Sequence, residues 1–147
     1  MTKFAVYQPN LTDIQIAELN GPNGGWNAKP EFRAYADVTS GTFRDDEPKK
    51  ADLLVRVAVH LGMFVHVSNI TADTMPEVYR VGNIGPEAQI ERTNLFPMKS
   101  VSVGDVIVEQ GAQTAWFCDR RGWTQLDAET YQFMMANIFH RTQSVAA

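Results

Sequence analysis

Between Lys99 and Leu126 the chain reads KSVSVGDVIVEQGAQTAWFCDRRGWTQL, and this stretch restricts the fold more than any other. Apolar residues alternate in short runs. Val101, Val103, Val106 and Val108 flank Gly104-Asp105, a return run covers Gln113–Asp119, and a third covers Trp123–Leu126. Gly111 and the Arg120-Arg121-Gly122 segment interrupt them. A period of two puts every second side chain on one face of a strand, and short glycine-bearing breaks join antiparallel neighbours. The spacing predicts a three-stranded meander. Asp127 then caps AETYQFMMANIFHR, where Tyr131, Met134, Met135, Ile138 and Phe139 recur at i, i+3, i+4, i+7 and i+8. Strands closed by such a helix indicate an α+β fold. The expected arrangement is a small antiparallel sheet with helices packed on one face and a C-terminal amphipathic helix over 127–141 completing the core.

Upstream, KFAVYQ alternates as an opening strand, with Phe4 and Val6 on one face. Thr12 or Asp13 caps IQIAELN, whose Ile14, Ala17 and Leu19 are expected inward, and Asn20-Gly21 stops it. The loop GPNGGWNAKP carries Trp26, expected to pin it to the core. Two segments stay open. In Glu31–Gly41, Phe32, Tyr35 and Val38 suit a helix, whereas Phe32, Ala34 and Ala36 suit a strand. In Ala51–Gly62, Leu53, Leu54, Val57, Ala58 and Leu61 make a helical stripe ending at Gly62, yet Val55, Val57 and Val59 alternate. Arg44–Lys50 reads as a charged connector with Pro48 suited to a helix start. Met63–Ile70 reads as a strand. Thr74 and Glu77 form a capping box with Pro76 in the first turn, for a helix ending at Gly82-Asn83, and Ile84–Met98 reads as an extended connection.

A chain of 147 residues is expected to be a single domain, with 70–126 as its most distinctive region, and can bury a core without disulfides or metal. One cysteine excludes an intrachain disulfide, and no apolar run approaches the ~18 residues of a membrane span. With no signal-peptide core at the N-terminus, a soluble cytoplasmic protein is expected. A net charge of −4 gives no global basic field for nucleic acid and is too mild for a DNA mimic. His60 and His66 have no partner at metal-ligand spacing, so neither metal nor cofactor is expected. Cys118 reads as a small buried thiol, since a nucleophile needs a lowered pKa. GPNGG lacks the Lys-Ser/Thr of a phosphate loop, and Asp45-Asp46-Glu47 reads as a solvated acidic face. One cluster has binding chemistry: WFCDRRGW. Its Trp116, Asp119, Arg120, Arg121 and Trp123 combine the aromatics and arginines that anchor protein interfaces, and that also stack bases and hold phosphates. A purely structural role for the tryptophans, as cross-strand core residues, is the competing reading.

The segment SVSVGDVIVEQG, followed by an aromatic strand and GWTQL, resembles the C-terminal signature of small phage and mobile-element accessory proteins of the YodL-like type. ITADTMPEVYRVGN is similar to the short helix preceding that signature, and LTDIQIAELN with GGW to some phage openings. The paired arginine departs from the pattern. The resemblance implies a phage- or plasmid-type accessory protein expressed in the cytoplasm of a bacterial host. Together with the lack of a catalytic constellation in the sequence, it leads to the expectation of a non-enzymatic protein that binds a host or phage protein. It brings no catalytic residues. Ser102, Gly104 and Asp105 are expected to serve the fold, Gly104-Asp105 as a turn whose carboxylate accepts backbone N–H groups. Single-strand nucleic-acid binding through Trp116, Arg120, Arg121 and Trp123 is the alternative, a virion or assembly component a further one, and self-association stays open.

Overall fold

The computed structural model describes residues 1–44, 47, 48 and 50–146, with side chains over 1–42 and 50–138. Its elements run β1 (Thr2–Pro9), α1 (Asp13–Leu19), α2 (Pro30–Ser40), β2 (Phe43–Arg44), β3 (Glu47–Pro48) and α3 (Ala51–His60). There follow β4 (Phe64–Ala72), α4 (Met75–Ile84), β5 (Ile90–Arg92), β6 (Val106–Glu109), β7 (Thr114–Asp119), β8 (Gly122–Gln125) and α5 (Ala128–Ala146). Six strands form one antiparallel sheet in the order β5-β4-β1-β6-β7-β8, and β2 and β3 pair separately. The mixed α+β fold and the β6–β7–β8 meander are as the sequence pattern indicates.

The opening strand lies at the centre, with Phe4 opposite Ile70 on β4 and Glu109 on β6. Its alternation therefore feeds two cores. Ala5, Val106, Val108 and Phe117 face α2, α3 and α5, where Val38, Leu54, Val55, Ala58, Met134 and Ile138 are buried. Phe4, Val6, Val65, Val67, Ile70, Ile107 and Cys118 face the other way, towards Val78 and Val81 of α4 and Val101. Each large side chain so buried stabilises by about 2 kcal/mol. Helices expected on one face thus occupy both: α2, α3 and α5 share one, and α4 covers the other.

Both open segments are helices. In α3 the buried positions are Ala51, Leu54, Val55, Ala58 and Val59, so the stripe differs from the expected one, and Leu53 (60% exposed) and Val57 (43%) face solvent. Ala51 and Ala58 are small enough to bring this side of the helix close to its neighbours, and Val55 and Val59 then fill the core. Gly62, at φ 74°, ends α3 as expected, with Gly62 N donating to Val59 O and Met63 N to Ala58 O. Thr12 caps α1 in a full capping box, but α1 buries nothing and Ile14 is 81% exposed. Only Leu11, ahead of it, packs on the core. Trp26 reaches the core indirectly, stacked on the half-buried Tyr35 of α2 at 5.9 Å. Pro48 lies in β3, not in a helix.

Thr74 caps α4, its hydroxyl accepting from Glu77 N, and the Glu77 carboxylate accepts from Asp73 N. The helix does not stop at Gly82-Asn83 but continues to Ile84. Gly82 serves close approach instead: a Cβ there would lie 2.3 Å from Val101 Cγ2. The stretch expected to be extended holds a 3₁₀ turn at Glu87–Gln89 and the edge strand β5. Asp127 caps α5 by accepting from Thr130 N at 2.7 Å. Asp45-Asp46, the side chain of Glu47 and that of Phe139 lie outside the described residues. No helix among the described residues is long and apolar enough to cross a membrane.

Candidate binding site

The SVSVGD segment is a turn, not a strand, up to Val106. Asp105 Oδ2 accepts from Ser102 N at 2.9 Å, while Asp105 N donates to Ser102 O at 3.1 Å. Gln8, projecting from β1, clamps the same loop. Its Nε2 donates to Asp105 Oδ2 (3.0 Å) and to Lys99 O (2.9 Å), and its Oε1 accepts from Lys99 N (2.9 Å). Gly104 has φ 99°, and a Cβ on it would lie 2.9 Å from Val38 O, so the turn packs directly on the α2 backbone. Gly104 N donates to Cys118 O, and Cys118 N donates to Asp105 O. Ser102, Gly104 and Asp105 therefore fix the loop that starts the meander. Burial, at 3% exposure, pushes the Asp105 carboxyl up to about 7, against the bonds from Ser102 and Gln8 and the charge of Lys99.

The turn Arg120-Arg121 joins β7 to β8. Cys118 pairs with Trp123 and Trp116 with Gln125, so both tryptophans share the α4 face of the sheet. Asp119 projects to the opposite face, where its carboxylate accepts from Thr42 N (3.1 Å), Thr42 Oγ1 and Arg120 N (2.8 Å). Burial alone would raise Asp119, but these bonds outweigh it and hold the carboxyl below its ordinary value. Arg120 Nε donates to Ser40 O, the exposed carbonyl end of α2, at 2.9 Å. Gly41 (φ 84°) lets the chain pass close by, since a Cβ would meet Asp119 Oδ1 at 2.6 Å.

Two clefts flank this hairpin. On the α4 side, Tyr79, Ser102, Val103, Cys118, Gly122 and Trp123 line a cavity of about 310 Å³ that Asp119 and Arg120 also border, with Tyr79 edge-on to Trp123 at 6.2 Å. On the α2 face, Thr42, Asp119, Arg120, Arg121 and Thr124 line one of about 440 Å³. Of the five candidate residues, four border these clefts. Trp116 borders neither: it is half-buried beside Ile107, and its Nε1 has no partner among the described residues. Both arginines of the turn are exposed, but Arg120, like Asp119, is bonded to the fold, whereas Arg121 makes no such bond among the described residues. Thr42, Ser40 and Tyr79 belong to the site but carry no local sequence signal, being brought in by tertiary packing alone.

Of the remaining chemical candidates, Cys118 is buried and His66 half-buried, while His60 is exposed at the end of α3. Burial and the nearby Asp105 push the Cys118 thiol up, so it is held protonated. His66 stacks on Tyr7 at 4.9 Å, with Nε2 3.0 Å from Ser68 O and from Asn69 Oδ1. Among the described residues no group of three or more His, Cys, Asp or Glu is placed to hold a metal. Comparison of the chain with protein-family models, with curated proteins and with solved structures gives no match.

Proposed function

We propose that this chain is a non-enzymatic accessory protein of the phage or plasmid type, working in the cytoplasm of a bacterial host, which binds a host or phage protein through the β7–β8 hairpin. The observation that carries this reading is the hairpin tip. Asp119 and Arg120 stitch it to Thr42 and Ser40, so Arg121 is presented on a braced turn between two clefts. A braced, arginine-bearing turn with an aromatic neighbour loses little conformational freedom on association and suits a protein interface. The resemblance of SVSVGDVIV…GW to the accessory-protein signature supports the same reading. Stacking of bases is less favoured, because Trp116 is half-buried in the fold and Trp123 is already engaged by Tyr79.

The test is capture from host lysate by tagged wild-type protein and by Arg121→Glu, each with and without nuclease. A protein retained by the wild type after nuclease treatment and lost with Arg121→Glu is the expected result. Equal capture by both, or capture that vanishes with nuclease, refutes the reading. The second outcome points to nucleic acid.

A further inference from the structure

Resting on that reading, we propose that the outer edge of β8 receives an extended peptide segment of the partner as a seventh strand, with an apolar residue facing Trp123 and acidic residues on either side of it. β8 ends the sheet, and no strand among the described residues pairs with its far side. The hydrogen-bond phase identifies which groups are open. Leu126 N donates to Ala115 O, and Cys118 N donates to Asp105 O on the other side of β7. Antiparallel pairing alternates, so Gly122, Thr124 and Leu126 bond inward to β7. The N–H and C=O of Trp123 and Gln125 consequently point outward.

The two sheet edges differ in chemistry. β5 carries Glu91 and Arg92, the latter ion-paired with Glu87, which discourages strand addition. β8, Gly-Trp-Thr-Gln, has neither charge nor proline and is largely exposed. The two clefts lie on opposite faces of this edge, Trp123 lining one and Thr124 the other. An added strand alternates its side chains in the same way, and in strand addition the main chain supplies affinity while alternate pockets supply specificity. The side chain opposite Trp123 enters the cleft walled by Tyr79, Val103 and Trp123, which suits an apolar or aromatic group. Its neighbours turn to the cleft bordered by Arg121. Among the described residues that line it, the charge of Arg120 acts against that of Asp119 and leaves Arg121 in excess, so a carboxylate is favoured.

The probe is a displayed library of random ten-residue peptides, selected on the full chain. Enriched peptides are expected to alternate apolar with acidic residues, and their binding to slow hydrogen exchange at the Trp123 and Gln125 amides. Gln125→Pro removes an outward N–H without removing a bond to β7, and should weaken the selected peptides at least tenfold. If that variant does not fold, Arg121→Glu should weaken the acidic peptides by a similar factor and leave their apolar-only counterparts unchanged. Enrichment without alternation, or binding that leaves both edge amides exchanging freely, overturns the edge proposal. So does binding unaffected by Gln125→Pro. If Arg121→Glu still abolishes capture from lysate in those cases, the hairpin reading survives and strand addition alone fails. If capture is also unaffected, both fail.

Discussion

Replacing Asp105 by asparagine tests whether burial or hydrogen bonding governs the turn at the head of the meander. The carboxylate accepts two N–H bonds on Oδ2, from Ser102 and Gln8, both of which an amide oxygen can accept equally well. The difference between the two side chains is the charge. With the folded value near 7 and the ordinary value near 4, the fold prefers the protonated acid by about 4 kcal/mol. Below the unfolded value both states hold the proton and this stability is fully present. As pH rises towards about 7 the unfolded chain releases its proton first, so stability falls, and the loss levels off above the folded value. Urea unfolding of wild type and Asp105→Asn, followed by tryptophan fluorescence from pH 4.5 to 8, measures the difference directly. The variant should gain on the wild type by several kcal/mol across that range. Parallel profiles, or a wild type that gains on the variant as pH rises, would show that the two hydrogen bonds overcome burial and that the carboxylate is a stable charged cap.

Asp119 should behave with the opposite sign: its depressed value gives stability that is present at neutral pH and fades as pH falls through the carboxylate range, so Asp119→Asn should flatten the acid limb of the same titration. Gly104→Ala forces a side chain into φ 99° and to 2.9 Å from Val38 O, and should cost about 3 kcal/mol in a denaturant melt; a cost under about 1 kcal/mol would contradict the close packing of turn on helix. Cys118, 3% exposed and with a raised pKa, should resist a thiol reagent at pH 8 until denaturant is added, and immediate labelling would contradict its burial. Leu53→Glu, on the exposed side of α3, should change stability by less than about 1 kcal/mol, whereas Leu54→Ala should cost about 3 kcal/mol.

What the sequence conveyed was whatever depends on near neighbours. Alternation across Val106–Gln125 gave the meander, Thr12, Thr74 and Asp127 gave helix starts, and Gly62 gave a helix end, because each rests on bonds within a few residues. The α3 stripe was hidden because Leu53/Leu54/Val57 and Leu54/Val55/Ala58 are equally periodic, and only the sheet beneath decides between them. Gly82 looked like a stop and proved a point of contact with Val101, nineteen residues ahead in sequence, which no local rule can see. The site divides in the same way. Arg121 and Trp123 were visible as residue types, but parity along β7 and the long-range bond to Thr42 send Asp119 to the opposite face from the tryptophans.

This division places the two arginines of the pair in different surroundings. Arg120 closes a circuit in which the α2 carbonyl end, Thr42, Asp119 and the hairpin hold one another, and Gly41 and Gly104 allow the backbones to approach closely enough to complete it. Lysine at position 120 could supply the charge but not the planar Nε–H that reaches Ser40 O while the rest of the guanidinium continues outward. Among the described residues Arg121 makes no such bond, and it faces solvent. Under the proposed function, the brace fixes the geometry of the edge and Arg121 supplies the positive charge offered to a partner there.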